Sequence, residues 1–135
     1  MREQENTEIV KQGFAAFRRG DIEGFLELLD DDVDFRHPMP TAIWPWAGHR
    51  RGRAQVAEFF ANLQPVEEFE VREFIAQRDK VVVLLFERLR IKDTGRRVNN
   101  EFVIVFTLRD TKVVQLCVYE DTAPIIAAIR DQEVL

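Results

Sequence analysis

Apolar positions in the first part of the chain recur at helical spacing. Ile9, Val10, Phe14 and Phe17 share one face, and Gly20 follows as a C-terminal stop. Asp21 stands where an N-cap belongs, ahead of Ile22, Phe25, Leu26 and Leu29 on a second, short helix. The acidic run Asp30-Asp31-Asp32 breaks that pattern and predicts a turn. Beyond it Val33, Phe35 and His37 alternate with Asp34 and Arg36, the period of a half-buried strand, which Pro38 and Pro40 end. A long loop with Trp44-Pro45-Trp46 and Gly48 leads to a third helix, with Val56, Phe59, Phe60 and Leu63 on one face.

The period then shortens. Phe69 to Gln77 alternates, Lys80 to Lys92 is a long strand-like run, and Asp93-Thr94-Gly95 is a hairpin turn signal. Val98 to Leu108 follows, and Arg109-Asp110-Thr111 turns into Val113 to Glu120. A last helical stretch carries Ile125, Ile126 and Ile129. Within Val81–Ile91 both the odd and the even positions are apolar, whereas a sheet with water on one side alternates cleanly. Helices can cover one face; the simplest cover for the other is a second copy of the chain, so a homodimer through the sheet is expected.

No repeat, linker or low-complexity segment interrupts the 135 residues, so residues 1–135 read as one domain. With 46% hydrophobic and 32% charged residues the composition is globular. No apolar run approaches the ~18–20 residues that span a bilayer, and the polar start lacks the apolar stretch of a signal peptide, so no membrane partner is expected. The single cysteine, Cys117, fits a reducing, cytoplasmic setting. A net charge of −5 argues against nucleic acid as a partner. The one basic cluster, His49-Arg50-Arg51-Gly52-Arg53, reads either as a solvated loop before a helix or as a seat for an anionic substrate tail. Eleven phenylalanines against one tyrosine give many apolar rings and almost no phenol to donate a proton.

This order of elements resembles the nuclear-transport-factor-2-like superfamily, the cone-shaped fold of ketosteroid isomerase and the SnoaL-like polyketide cyclases. Arg19-Gly20-Asp21-Ile22-Glu23-Gly24-Phe25 looks like its first helix-to-helix turn, and Asp32-Val33-Asp34-Phe35-Arg36-His37-Pro38 like its strand ending at a catalytic position. Lys112-Val113-Val114 through Tyr119-Glu120-Asp121-Thr122 looks like its last strand. Trp44-Pro45-Trp46-Ala47-Gly48 brings the chain close to the SnoaL-like branch. The resemblance covers nearly the whole chain and implies an α+β cone: helices packed on a strongly curved antiparallel or mixed sheet around an apolar pocket for a small hydrophobic molecule. Fold alone does not give function, since such domains include isomerases, cyclases, epoxide hydrolases and non-catalytic binders.

The resemblance implies two catalytic candidates. His37 falls where the isomerases place their base; an inward imidazole beside apolar walls can serve as one, or can be a core histidine tied to a backbone or carboxylate partner. Asp121 matches the acidic residue of the cyclases, but it can equally cap the final helix. The oxyanion-hole tyrosine and protonated aspartate of the isomerases fall at Gly13 or Phe14 and at Ile104, none of which donates a side-chain hydrogen bond, so steroid isomerisation is not expected. Matched to the same pattern, Arg88 faces inward with Val82, Leu84 and Phe86, while Glu87 and Glu101 face the other way. Arg88, Asn100, Glu120 and His37 would then form one polar patch, or Arg88 and Glu120 a structural cross-strand pair. Trp44, Trp46 and Phe60 are the expected ring contacts for a ligand, the tryptophans closing the pocket mouth or serving as hydrophobic cover. No cofactor motif and no metal-ligand spacing occurs. The expected function is cofactor-independent acid–base chemistry on a hydrophobic carbonyl or epoxide, or else non-catalytic binding or sensing in the same pocket; an interaction-only dimer with a filled cone is the third reading.

Overall fold

A computed structural model describes residues 2–131 and shows helices packed on one six-stranded mixed sheet. The elements in chain order are α1 (Arg2–Arg18), α2 (Ile22–Leu26), β1 (Leu29–His37), β2 (Gly48–Arg51) and α3 (Arg53–Ala61). Then come β3 (Val66–Gln77), β4 (Lys80–Arg90), β5 (Arg97–Arg109), β6 (Lys112–Glu120) and α4 (Thr122–Ile129). The strand order is β2-β1-β6-β5-β4-β3. Only β1 and β6 run parallel; every other neighbouring pair is antiparallel.

Local chemistry explains the helical turns. Gly20 adopts φ +78°, and the Asp21 N–H reaches back to the Ala16 carbonyl at 2.9 Å, closing α1. Asp21 then caps α2, accepting the Gly24 N–H at 2.9 Å. One face of the sheet meets these helices and carries the core: Val33 and Phe35 of β1, Val83 and Leu85 of β4, Phe102 and Phe106 of β5, and Leu116 of β6 are all buried.

Three expectations need correction. Asp30, Asp31 and Asp32 lie within β1 and do not form a turn. β1 pairs with β6 at Leu29↔Val113 and again at Asp34↔Gln115, so the aspartates occupy an irregularity where the two strands fall out of step. The basic run at 48–51 is the edge strand β2, paired to β1; its polar sequence suits an edge with water on one side. The third correction bears on function. β4 and β5 pair as Leu85↔Phe102, Glu87↔Asn100 and Arg88↔Asn99, and cross-strand partners share a face. The odd residues of β4 therefore join the even residues of β5. Val81, Val83, Leu85, Glu87 and Leu89 point inward, while Val82, Leu84, Phe86 and Arg88 point outward, the reverse of the expected phase.

Phe35 is 1% exposed and packs on Phe59 with ring centroids 4.8 Å apart. Phe35→Ala is expected to destabilise the fold by about 3–5 kcal/mol, read as a lower urea midpoint with little change in slope.

Candidate functional site

The concave face of the sheet and the helices enclose a cavity of about 100 Å³ whose wall is almost wholly aromatic and aliphatic. That is the scale of the roughly 150 Å³ apolar holes that take up a single benzene ring. Phe17, Phe60 and Phe69 are half-buried lining residues, and their rings meet at 5.8 Å (Phe17–Phe60) and 5.2 Å (Phe17–Phe69). Three titratable groups enter the wall: His37, Glu87 and Glu120.

Backbone position fixes each of them. His37 is the last residue of β1, and Pro38-Met39-Pro40 turns the chain immediately afterward, so that the Met39 N–H donates to Nδ1 of His37 at 3.2 Å. An Nδ1 that accepts a hydrogen bond leaves the ring proton on Nε2. Nε2 lies 3.7 Å from Oε2 of Glu120, and the two side chains are only 7% and 5% exposed. Phe59 and Trp44 pack against the imidazole with centroids at 5.0 and 6.0 Å. Asn100, 4% exposed, sits behind the carboxylates. Its Nδ2 donates to Oε2 of Glu87 at 2.9 Å and to Oε1 of Glu120 at 3.2 Å, using both amide hydrogens.

Burial sets the electrostatics. Desolvation pushes the His37 imidazole down to about 4. It pushes the Glu120 carboxyl up to about 7, with the Asn100 hydrogen bond opposing and the Glu87 charge adding to the rise. Glu87 is also raised by desolvation, and its bond to Asn100 opposes that shift. Between about pH 4 and 7 His37 and Glu120 therefore meet as uncharged groups, not as an ion pair.

The expected site residues separate into two sets. His37, Trp44, Phe60 and Glu120 line the cavity, and Asn100 supports it from behind. Trp44 is buried beside His37 and does not guard an open mouth; Trp46 is 37% exposed and outside the wall. Arg88 lies on the outer face, where it bonds Asn99 at 3.0 Å and approaches Glu68 at 3.6 Å. Asp121 is exposed, caps α4 by accepting the Ala123 N–H at 3.2 Å, and does not line the cavity. Glu87, which the sequence phase put on the wrong face, is inside. Its signal was available in the hairpin: Asp93-Thr94-Gly95 at the turn fixes the pairing parity that joins Glu87 to Asn100. Among the described residues no group of three or more His, Cys, Asp or Glu side chains could hold a metal ion, and no helix is long and apolar enough to cross a membrane.

The two displaced titrations pull stability in opposite directions. His37 is at about 4 when folded against 6.5 ordinarily, so unfolding takes up a proton there and stability falls as pH drops through that window. Glu120 is at about 7 when folded against 4.5, so it holds a proton that unfolding releases, and stability falls as pH rises through its window. From pH 4.5 to 6.5 the slopes oppose. His37→Gln is expected to leave stability declining with rising pH, and Glu120→Gln to leave it increasing, each by up to ~1.4 kcal/mol per pH unit relative to wild type. Chemical denaturation across that range reads both slopes.

The sequence profile of the SnoaL-like domain matches residues 10–116. None of the curated proteins matches the chain by sequence. Among solved structures, an NTF2-like protein from Burkholderia xenovorans is 35% identical, with a TM-score of 0.81 over 94% of this chain and 97% of that one. An NTF2-like protein of unknown function from Burkholderia pseudomallei is 29% identical, with a TM-score of 0.83 over 93% and 97%. TerC, co-crystallised with polyporic acid, is 31% identical, with a TM-score of 0.82 over 93% and 98%. The profile match spans most of the chain, and the fold is that of the NTF2-like cone: this protein belongs to the SnoaL-like domain family, within the NTF2-like superfamily.

Proposed function

We propose that the cavity is an acid–base site for a small, flat, uncharged oxygen compound, with Glu120 as the proton-transferring group and His37 as the hydrogen-bond donor to substrate oxygen. One observation carries this reading: Nε2 of His37 lies 3.7 Å from Oε2 of Glu120 inside an aromatic wall, while the Met39 N–H occupies Nδ1. That arrangement changes the role expected of His37. With its proton on Nε2 and its lone pair engaged on Nδ1, the ring faces the cavity as a donor, and the base is the carboxylate beside it. A carboxyl at about 7 is suited to the work, because near neutrality it is populated in both forms.

The chemistry follows from position. A ketone whose oxygen accepts the Nε2–H would bring its α-carbon toward the Glu120 carboxylate. Glu120 takes the α-proton, the C–H electron pair moves into the enolate, and the imidazole N–H bonds the oxygen as negative charge grows on it. Returning the proton completes an enolisation, the step shared by isomerisation and aldol-type ring closure. The aromatic wall accommodates a planar ring, and the similarity to TerC, co-crystallised with polyporic acid, supports an organic ligand. Asp121 has no part in this scheme: it is engaged as the α4 cap.

The direct assay is deuterium exchange from heavy water into the methyl group of acetophenone, followed by NMR. Wild type is expected to accelerate exchange, with a rate that rises through about pH 7 as Glu120 ionises. Glu120→Gln should lower it by about 100-fold or more, and His37→Phe by about tenfold to 100-fold. Saturable binding without exchange would replace this reading with a non-catalytic binding or sensing domain.

The outer face of the sheet supports the homodimer. Val82 lies opposite Val105, Leu84 opposite Val103, and Val105 opposite Cys117, an apolar surface continued by exposed Ile75 and Tyr119. A surface of this kind is the usual mark of an interface. Val103→Glu is expected to halve the mass seen in analytical ultracentrifugation while leaving the circular dichroism unchanged; a wild type that already sediments as a monomer removes the dimer from the account.

A further inference from the structure

Glu87 is the one titratable group in the cavity wall to which the scheme above gives no task. It is also placed where an idle carboxyl is hard to explain: a wall position in an aromatic cavity, pointing inward by register, with the Asn100 amide as its hydrogen-bond donor. The same amide nitrogen bonds Glu120. Each carboxyl thus gives one oxygen to Asn100 and retains a second.

The surroundings supply no counter-charge. Around Glu87 are Asn100 from β5, Phe69 from β3 at the same register, its own-strand neighbours Leu85 and Leu89, and, in the same cavity lining, His37 and Glu120. The nearby cations are engaged elsewhere. Arg97 and Arg90 approach Glu67 at 2.7 and 3.9 Å, Arg88 approaches Glu68, and Arg18 lies over the Phe69 ring at 6.0 Å. Two negative charges in a desolvated wall with one neutral amide between them repel strongly, so the second ionisation is opposed by the first.

We propose that Glu87 and Glu120 form a proton-sharing carboxyl pair bridged by Asn100, with Glu87 the second proton-carrying group of the site, and that the pair restricts the ligand to uncharged ring compounds bearing a carbonyl or hydroxyl. With one proton on the pair, the site offers a carboxylate acceptor and a carboxylic O–H donor. Together with Nε2–H of His37 this matches a neutral oxygen function and repels a carboxylate. Glu87 also acts on Glu120: its charge helps hold the Glu120 proton near neutrality, and removing it should make Glu120 more acidic. This inference rests on the cavity being a ligand site for its second half only; the pairing of the carboxyls stands or falls without any ligand.

The experiment uses the full chain with carboxyl-labelled glutamate and follows the side-chain resonances by NMR from acid to alkaline pH. The Glu87 and Glu120 resonances are expected to show two shared inflections, one of them near neutrality. In Glu87→Gln the Glu120 resonance should show one inflection, moved to lower pH. Separate single titrations in wild type, or an unmoved Glu120 midpoint in the variant, would overturn the pairing, and the wild-type curves decide this even if the variant folds poorly. The ligand half is read from the Trp44 indole resonance with acetophenone and benzoate, which differ in charge at nearly equal size. Wild type at pH 7 should bind acetophenone at least about tenfold more tightly than benzoate, and Glu87→Gln should narrow that gap. Equal binding overturns the ligand restriction. Binding of neither ring overturns it together with the ligand-site reading, while the titration still decides the pair.

Discussion

Asn100 gives both hydrogens of a single amide to two carboxyl groups in a place that water hardly reaches, and the site's geometry and charge follow from that constraint. A glutamate side chain has three rotatable bonds, and the wall around these two is almost wholly apolar. Tied to Asn100, Glu120 is presented to His37 from the end of β6, and Glu87 is held against the same wall from β4. The amide is neutral, so it orients the carboxyls without compensating their charge. An arginine in its place would have favoured the carboxylate form of both groups. The structure puts Arg88 one residue from Glu87 and turns it to the opposite face.

Strand register decides which of these groups meet. β4 and β5 join around a tight hairpin whose pairing sets Glu87 opposite Asn100, and β5 and β6 pair so that Phe102 lies opposite Glu120. A shift of one residue would bring Arg88 into the cavity and put Glu87 outside. The apolar character of both faces of β4 leaves that choice to the turn, because Val82, Leu84 and Phe86 would fill the interior about as well as Val81, Val83 and Leu85.

That is also why the sequence was readable in some places and not in others. Most of the helices and the meander follow from periodicities that tertiary packing did not override, with Val10, Phe14, Val33 and Phe35 all in the core. The cone, in contrast, came from the family resemblance, and Leu29, read onto the second helix, opens β1. His37 could be placed because its strand alternates cleanly and proline stops it. β4 could not be phased, since an alternation rule says nothing when both parities are apolar, and the phase had to come from the pairing. The Asp30–Asp32 run misled for a different reason: three acidic residues suit a turn, yet they suit equally well an irregular strand segment whose neighbour, β6, takes fewer residues over the same span. Asp121 was legible as either base or cap, and the Ala123 N–H bond shows it capping α4. The tautomer of His37 had no sequence signal, because it depends on the backbone N–H of Met39 turning back toward the ring.

The cavity wall holds two carboxyl groups with no lysine or arginine beside them, and burial opposes their ionisation. Buried carboxylates are commonly matched with arginine or lysine, and such pairs hold their charges over the whole physiological range. Here no lysine or arginine is among the residues lining the cavity, which holds His37, Glu87 and Glu120. The price is a set of ionisations displaced in opposite directions, His37 downward and Glu120 upward. A protein under pressure only to be stable would fill these positions with apolar side chains of similar volume, since a buried polar network is difficult to satisfy and offers little net stability. Keeping three titratable groups in an aromatic hole makes physical sense where a proton has to move between the wall and something bound inside it.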